Sequence, residues 1–192
     1  MAFLTASIRR PRQIGAIAQS SRALARIAAA PVPVTDTPTV VELGPGAGVV
    51  SDAIARRLPR GGRHIAVEID PGMARHLRRT RPWLHVLDGD AARLRSLLNS
   101  CDVDRADAVI SALPWTRMPA HVQQRILEEI HATLNPGCRL STIITLSAWP
   151  FASCRRFRRL LEHTIGPITV LGPVWRNMPP ALVLTCPKAR HV

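Results

Sequence analysis

The chain contains no tyrosine, only three phenylalanines, and one lysine, Lys188, among its 26 basic residues. Acid is scarce as well: 13 acidic residues leave a net charge of +13 over 192 residues. A surface so short of acid attracts polyanions, meaning nucleic acid or anionic lipid. A basic surface with no partner is the plain alternative. The four cysteines, Cys101, Cys138, Cys154 and Cys186, include no C-x-x-C pair, and no histidine stands beside them in a zinc pattern. No metal is expected, and free thiols in a reducing cytoplasm are. Long apolar runs are missing too. Apolar runs are short, as at Val40-Val41 and Ile143-Ile144, against the ~20 residues of a membrane span. No apolar stretch precedes a small-residue cleavage site, so a secretory signal is not expected. The first 35 residues are arginine-rich and free of acid, a composition that also suits a mitochondrial transit segment.

One domain is the expectation for this length, and it can bury roughly two-thirds of its unfolded surface without disulfides or metal. Residues 3–30 have helical spacing, with Phe3, Leu4, Ile8, Ile14, Ile17, Leu24 and Ile27 on one side and a break near Pro11. Pro31, Pro33 and Pro38 make the following stretch a linker. Strands and helices then alternate. Strands are expected at residues 39–43, 64–69, 84–87, 106–111 and 139–146. Helices are expected at 49–58, 71–80, 91–98, 120–134 and 153–163, and two final strands at 165–171 and 181–186. Such alternation predicts a doubly wound, Rossmann-like α/β fold. Its seven-stranded, mostly parallel sheet ends in an antiparallel edge hairpin, and an N-terminal helical arm precedes it. The expected division is an arm and linker at 1–38 and one domain at 39–192.

Four motifs fall in order at the carboxyl ends of successive strands. The first runs Val40, Val41, Glu42, Leu43, Gly44, Pro45, Gly46, Ala47, Gly48. Glycines let the backbone turn sharply and approach a ligand, and the next helix offers unpaired N–H groups at its start. The spacing is G-x-G-x-G, not the G-x-G-x-x-G of dinucleotide sites. Glu42, expected at the mouth, would repel a pyrophosphate and suit a ligand carrying an ammonium and a sulfonium. S-adenosylmethionine is such a ligand. In the second motif Glu68 lies twenty residues after Gly48, where a carboxylate can accept from both ribose hydroxyls. Asp70, before Pro71, reads as a helix cap. In the third, Asp90 is placed to accept from an adenine amino group, and Asp88 reads as a turn residue. The fourth is Ser111, Ala112, Leu113, Pro114, Trp115, beside the switch point where an open α/β sheet binds ligands. The cofactor-binding set is therefore Glu42, Gly44, Pro45, Gly46 and Gly48, then Glu68, Ile69, Asp90, Ala91 and Ser111. Ser111, Leu113, Pro114 and Trp115 are the candidates lining the reacting centre.

From residue 39 onward these motifs resemble those of class I methyltransferases. More narrowly, the chain is similar to the soluble bacterial phosphatidylethanolamine N-methyltransferases, relatives of the rRNA adenine dimethyltransferases. The carriers are Phe3-Leu4 with residues 15–25, the segment Ser111 to Trp115, and Arg176, Asn177, Met178, Pro179, Pro180, Ala181. Two departures are Gln19, where that family usually has proline, and the absence of tyrosine from arm and site. The rRNA enzymes have asparagine where Ser111 stands, and an extra RNA-binding domain for which this chain has no room.

The resemblance implies a methyltransferase that uses S-adenosylmethionine, with Gln19, Ser20 and Ser21 near the cofactor. It implies an amine acceptor, first phosphatidylethanolamine and its methylated forms. A soluble small molecule is the alternative, and RNA a third. In-line transfer to a neutral amine needs alignment more than a strong base. Trp115 is expected either to face a developing ammonium or to be a core or pocket-wall aromatic. His121, His131, Cys154 and His163 read as structural. The arm and the arginines at 155–159 are expected either to contact an anionic membrane or, for the arm, to act as a lid. The expected location is the cytoplasm, with peripheral attachment at the inner membrane face.

Overall fold

A computed structural model describes residues 20–189. The helical pattern over 3–19, including Gln19, lies outside them. The first described helix, α1 (Arg22–Ala28), begins at Ser21, whose hydroxyl accepts from the Leu24 N–H at 3.2 Å. After the proline linker, β1 (Thr39–Leu43) leads into α2 (Val49–Ala55), and β2 (Arg63–Glu68) into α3 (Pro71–Thr80). Asp70 caps α3, accepting from the Met73 N–H at 2.8 Å, with proline at the first helical position as its fixed φ favours. Then come β3 (His85–Asp88), a 3-10 turn at Ala91–Arg93, α4 (Leu94–Asn99), β4 (Ala106–Ser111) and a second 3-10 turn at Trp115–Arg117. The chain continues through α5 (Ala120–Thr133), β5 (Leu134–Thr145), α6 (Ala152–Thr164), β6 (Thr169–Val174) and β7 (Ala181–Pro187).

The sheet order is β3-β2-β1-β4-β5-β7-β6, with β7 antiparallel to both its neighbours. This is a Rossmann-like doubly wound sheet of seven strands. The order reverses between β1 and β4, which pair in parallel with Leu43 opposite Ser111. Strand pleating sends alternate side chains to opposite faces. Val41, Leu43, Ile65, Val67, Val109 and Leu140 join the core on one face, with buried residues of α4, α5 and α6. Val40, Ala108, Ile110 and Val183 join that of α1 and α2 on the other.

Several boundaries differ from expectation, for identifiable reasons. β5 starts at Leu134, directly after α5, because Leu134 already pairs with Ala106; residues 135–138 form an irregularity before Arg139 pairs with Ala108. Asn135, just after the helix, donates to Asp107 at 2.9 Å. β6 starts at Thr169, because the Ile165 N–H still bonds the Leu161 carbonyl of α6. The helix expected at 91–98 opens as a 3-10 turn capped by Asp90.

α1 is built into the core. Leu24, Ala25, Ala28 and Ala29 are buried against Val50, Ala53 and Ile54 of α2 and Val183 of β7. Alanines at this seam let the backbones come close. The apolar face of this helix is thus covered by protein, and Arg22 and Arg26 face solvent. Leu24→Ala should destabilise the fold by ~2–5 kcal/mol, since it opens a cavity where the side chain is buried. Urea unfolding checks this; unchanged stability would mean a detachable lid.

Candidate active site

The glycine turn joins β1 to α2 at the switch point. The Gly44 N–H donates to the Val67 carbonyl at 3.0 Å, so the chain crosses toward β2 at once. Gly44 has φ +70°, and a Cβ there would stand 2.9 Å from Leu113 Cδ2; only glycine accepts both. Around Gly46, by contrast, an added Cβ would meet nothing within 4 Å, which marks the open side of the loop.

Glu68, at the end of β2, holds this turn. One carboxylate oxygen accepts from the Gly46 N–H at 3.2 Å and the other from the Asp70 N–H at 3.0 Å. Each oxygen retains a second lone pair. Burial pushes the Glu68 carboxyl up from its ordinary value, against the lowering effect of these N–H donors. Ile69 follows, half-buried. At the end of β3, one Asp90 oxygen accepts from the Ala92 N–H at 2.9 Å, so the residue caps the turn that begins at the buried Ala91.

Past β4, the segment at 111–115 is fastened from behind. Trp115 is only 1% exposed and stacks on Phe157 with ring centroids 4.8 Å apart. Its indole N–H is shared between the Ser111 hydroxyl at 3.1 Å and the Thr142 hydroxyl at 2.8 Å. The expectation that its ring faces an ammonium is therefore corrected: the 3-10 turn carries the side chain into the core. Ser111 is buried too, its hydroxyl committed to Trp115. The Gln123 side chain donates to the Trp115 carbonyl at 2.6 Å and the Met118 carbonyl at 3.1 Å. Ala112, Leu113 and Pro114 stay half-buried and form the wall facing the glycine turn.

Glu42 is not at the mouth. Pleating puts it on the α2/α3 face, fully buried, with one oxygen 3.0 Å from His64 Nε2. Its other oxygen has no hydrogen-bond partner, nor has His64 Nδ1. Trp83 covers the imidazole at 5.8 Å between ring centroids. Arg81 lies close by, bonding Asp52 of α2 through two nitrogens at 2.7 and 2.9 Å. Its guanidinium lies so near Gly48 that a Cβ there would come within 2.5 Å of it. The turn thus rests on a polar layer that sequence reading missed. The available signal was register: Glu42 and His64 lie two rungs apart on adjacent strands, on the same face.

Ser21 uses its hydroxyl as the α1 cap, and its N–H donates to the Asn177 side-chain oxygen at 2.7 Å. Ser20 is half-buried beside it. Cys154 and Cys186 are buried, and burial raises both thiols, Cys186 to about 12, so neither is a nucleophile at neutral pH.

Comparison with known proteins agrees with this geometry. Residues 40–137 match a family model described as a methyltransferase domain. The TehB-like SAM-dependent methyltransferase from Corynebacterium glutamicum superposes with a TM-score of 0.62 at 14% identity, over 97% of this chain and 96% of that one. Fibrillarin from Aeropyrum pernix, solved with natively bound S-adenosyl-L-methionine, gives 0.61 at 17% identity, over 80% of this chain and 68% of that one. The chain belongs to the class I S-adenosylmethionine-dependent methyltransferases. Within that class it is similar to the ornithine lipid N-methyltransferase of Singulisphaera acidiphila, 30% identical over 187 residues, 96% of this chain and 93% of the relative.

His64→Leu would leave Glu42 buried with no partner. It should cost ~1–3 kcal/mol in urea unfolding, the cost of an unsatisfied buried polar group, and much of the loss should be restored by adding Glu42→Leu, which removes the unpaired carboxyl.

Proposed function

We propose that this methyltransferase transfers methyl groups to the amine of a membrane lipid. The observation carrying this reading is the likeness to an ornithine lipid N-methyltransferase along nearly the whole length of both chains. A match confined to the glycine turn would speak for the cofactor alone. This one includes the segments past β4, where class I enzymes differ in acceptor. Phosphatidylethanolamine and its monomethyl and dimethyl forms, with ornithine lipid, are the acceptors to test first.

The residues fit S-adenosylmethionine. The open side at Gly46 leaves room for it, and the second lone pairs of Glu68 suit two ribose hydroxyls. The second Asp90 oxygen, outside its cap bond, suits an exocyclic amine. When bound, the cofactor supplies an electrophilic methyl on a sulfonium. The wall at 112–114 then orients the acceptor. The carbonyls of Leu113 and Pro114 accept from Trp115 and Arg117 at 2.9 Å each, and their second lone pairs suit an amine N–H. A neutral amine attacks without a strong base, so positioning carries most of the catalysis. The proton leaves afterwards to water. Trp115 acts from behind, by fixing the turn.

Calorimetric titration with S-adenosylhomocysteine tests the cofactor half. Glu68→Gln should weaken binding ~10–150-fold, the ~1.5–3 kcal/mol of hydrogen bonds to a charged acceptor. Because the ionised form is the better acceptor and burial raises its pKa, wild-type affinity should fall on acidification from a pH above the ordinary glutamate value; the variant should lack that fall. Fold stability should run the other way. A carboxyl with a raised folded pKa is favourable while protonated, and that contribution is lost as pH rises through the raised value. For the acceptor, radiolabelled methyl should pass to detergent-dispersed lipid amines. Transfer only to soluble amines would overturn the lipid reading.

A further inference from the structure

We infer that the rim of loops at the carboxyl edge of the sheet, residues 146–151 and 175–180 with the first turns of α6, docks this enzyme on an anionic lipid bilayer. The inference rests on the lipid-amine reading and adds the surface by which the enzyme reaches its acceptor. Among the described residues the most exposed large apolar side chains outside the linker stand on these two loops: Phe151 at 61%, Trp175 at 70% and Met178 at 79%. The loops are neighbours. Thr145 at the end of β5 pairs with Ala181 at the start of β7, and the Leu146 N–H donates to the Pro180 carbonyl at 2.7 Å. Asn177 stiffens the hairpin tip, donating to the Pro179 carbonyl at 2.7 Å and accepting from the Ser21 N–H. Trp175 and Met178 are therefore held outward on a braced turn.

The charge around them is mostly positive. Arg155, Arg156, Arg159 and Arg176 are exposed, and Arg158 lies over the Trp149 ring at 4.0 Å. Glu162 is the only acidic residue after Glu129. Between α6 and the edge strand β6 runs a groove of about 290 Å³, lined by Trp149, Ile168 and Val170 with three arginines, Arg155, Arg158 and Arg159, and one acid, Glu162. Guanidiniums beside apolar side chains fit a lipid phosphate with the start of its chains. Ser21, near the start of the described residues, meets this rim through its N–H to the Asn177 side chain. Tryptophan beside arginine is the composition that settles at the headgroup level of a membrane. A nucleic-acid surface would call for more exposed ring faces for base stacking. The rim shares its edge with the glycine turn, so a lipid amine at the interface comes to the methyl without leaving the bilayer.

Sedimentation with sucrose-loaded vesicles tests this. The full chain should bind phosphatidylglycerol–phosphatidylcholine vesicles and ignore pure phosphatidylcholine. W175S/M178S and R155Q/R156Q should each lose about tenfold or more in partitioning. W175S/M178S should keep wild-type affinity for S-adenosylhomocysteine and wild-type turnover of detergent-dispersed lipid, which shows that it folds. Equal partitioning of both variants and wild type overturns the docking surface. So does a wild-type chain that binds a single-stranded oligonucleotide but not the anionic vesicles. Absence of turnover on dispersed lipid by the wild type is a different failure. It would sink the lipid-amine reading and leave the vesicle result to judge the surface alone.

Discussion

The two hydrogen bonds that Glu68 accepts, one from Gly46 and one from Asp70, tie together the parts that make a site. One donor belongs to the turn after β1, the other to the start of α3. A single carboxylate at the end of β2 thereby sets the distance between them. A glycine-rich turn has many accessible conformations, and ordering it costs entropy. Two N–H donors converging on one buried carboxylate remove that freedom before any ligand arrives. In the proposed reading, the same residue then accepts ribose hydroxyl hydrogens with its geometry already set.

Beneath the turn lies a second constraint of a different kind. Glu42, His64, Arg81 and Asp52 form a polar layer between the sheet and α2/α3, with Glu42 and His64 buried and the Arg81–Asp52 pair partly exposed. A buried polar pair contributes little net stability but does not tolerate losing one partner. This layer fixes how α2 and α3 sit over the sheet, and so where Gly48 lies against Arg81. The neighbouring wall depends in turn on Trp115, which presses on Phe157 and is shared between the hydroxyls of Ser111 and Thr142. Turn and wall are each shaped from behind by polar contacts that never face the ligand.

Sequence alone made the first half of the fold legible. The glycine turn, the Asp70–Pro71 cap and β1 through β3 carry strong local signals, because apolar strands there stop at glycine or acid, and β4 is legible as an apolar run before Ser111. Where sequence reading went astray, the deciding contact was distant. Nothing local says that Leu134 pairs with Ala106, so β5 starts five residues before Arg139. Glu42 reads as a mouth residue until the pleat sends it to the His64 face. Trp115 follows a proline at a strand end, a common place for a pocket residue, and only the 3-10 turn shows that it points into the core. The helical stripe at Leu24 and Ile27 was legible, but not its partner, because α2 and β7 lie far along the chain.

The position of β7 has a kinetic consequence. It is the last described strand, yet it lies between β5 and β6. It also supplies Val183 to the layer that buries α1. A chain emerging in order can form β1 through β5 early, but β6 has no place until β7 slots in. Pairings this distant in sequence slow folding, because loop closure must precede their reward. The first described helix therefore waits on the last strand. Until then the part of its apolar face that meets β7 is uncovered, which makes the incomplete chain a natural client for chaperones and a short-lived target for proteases.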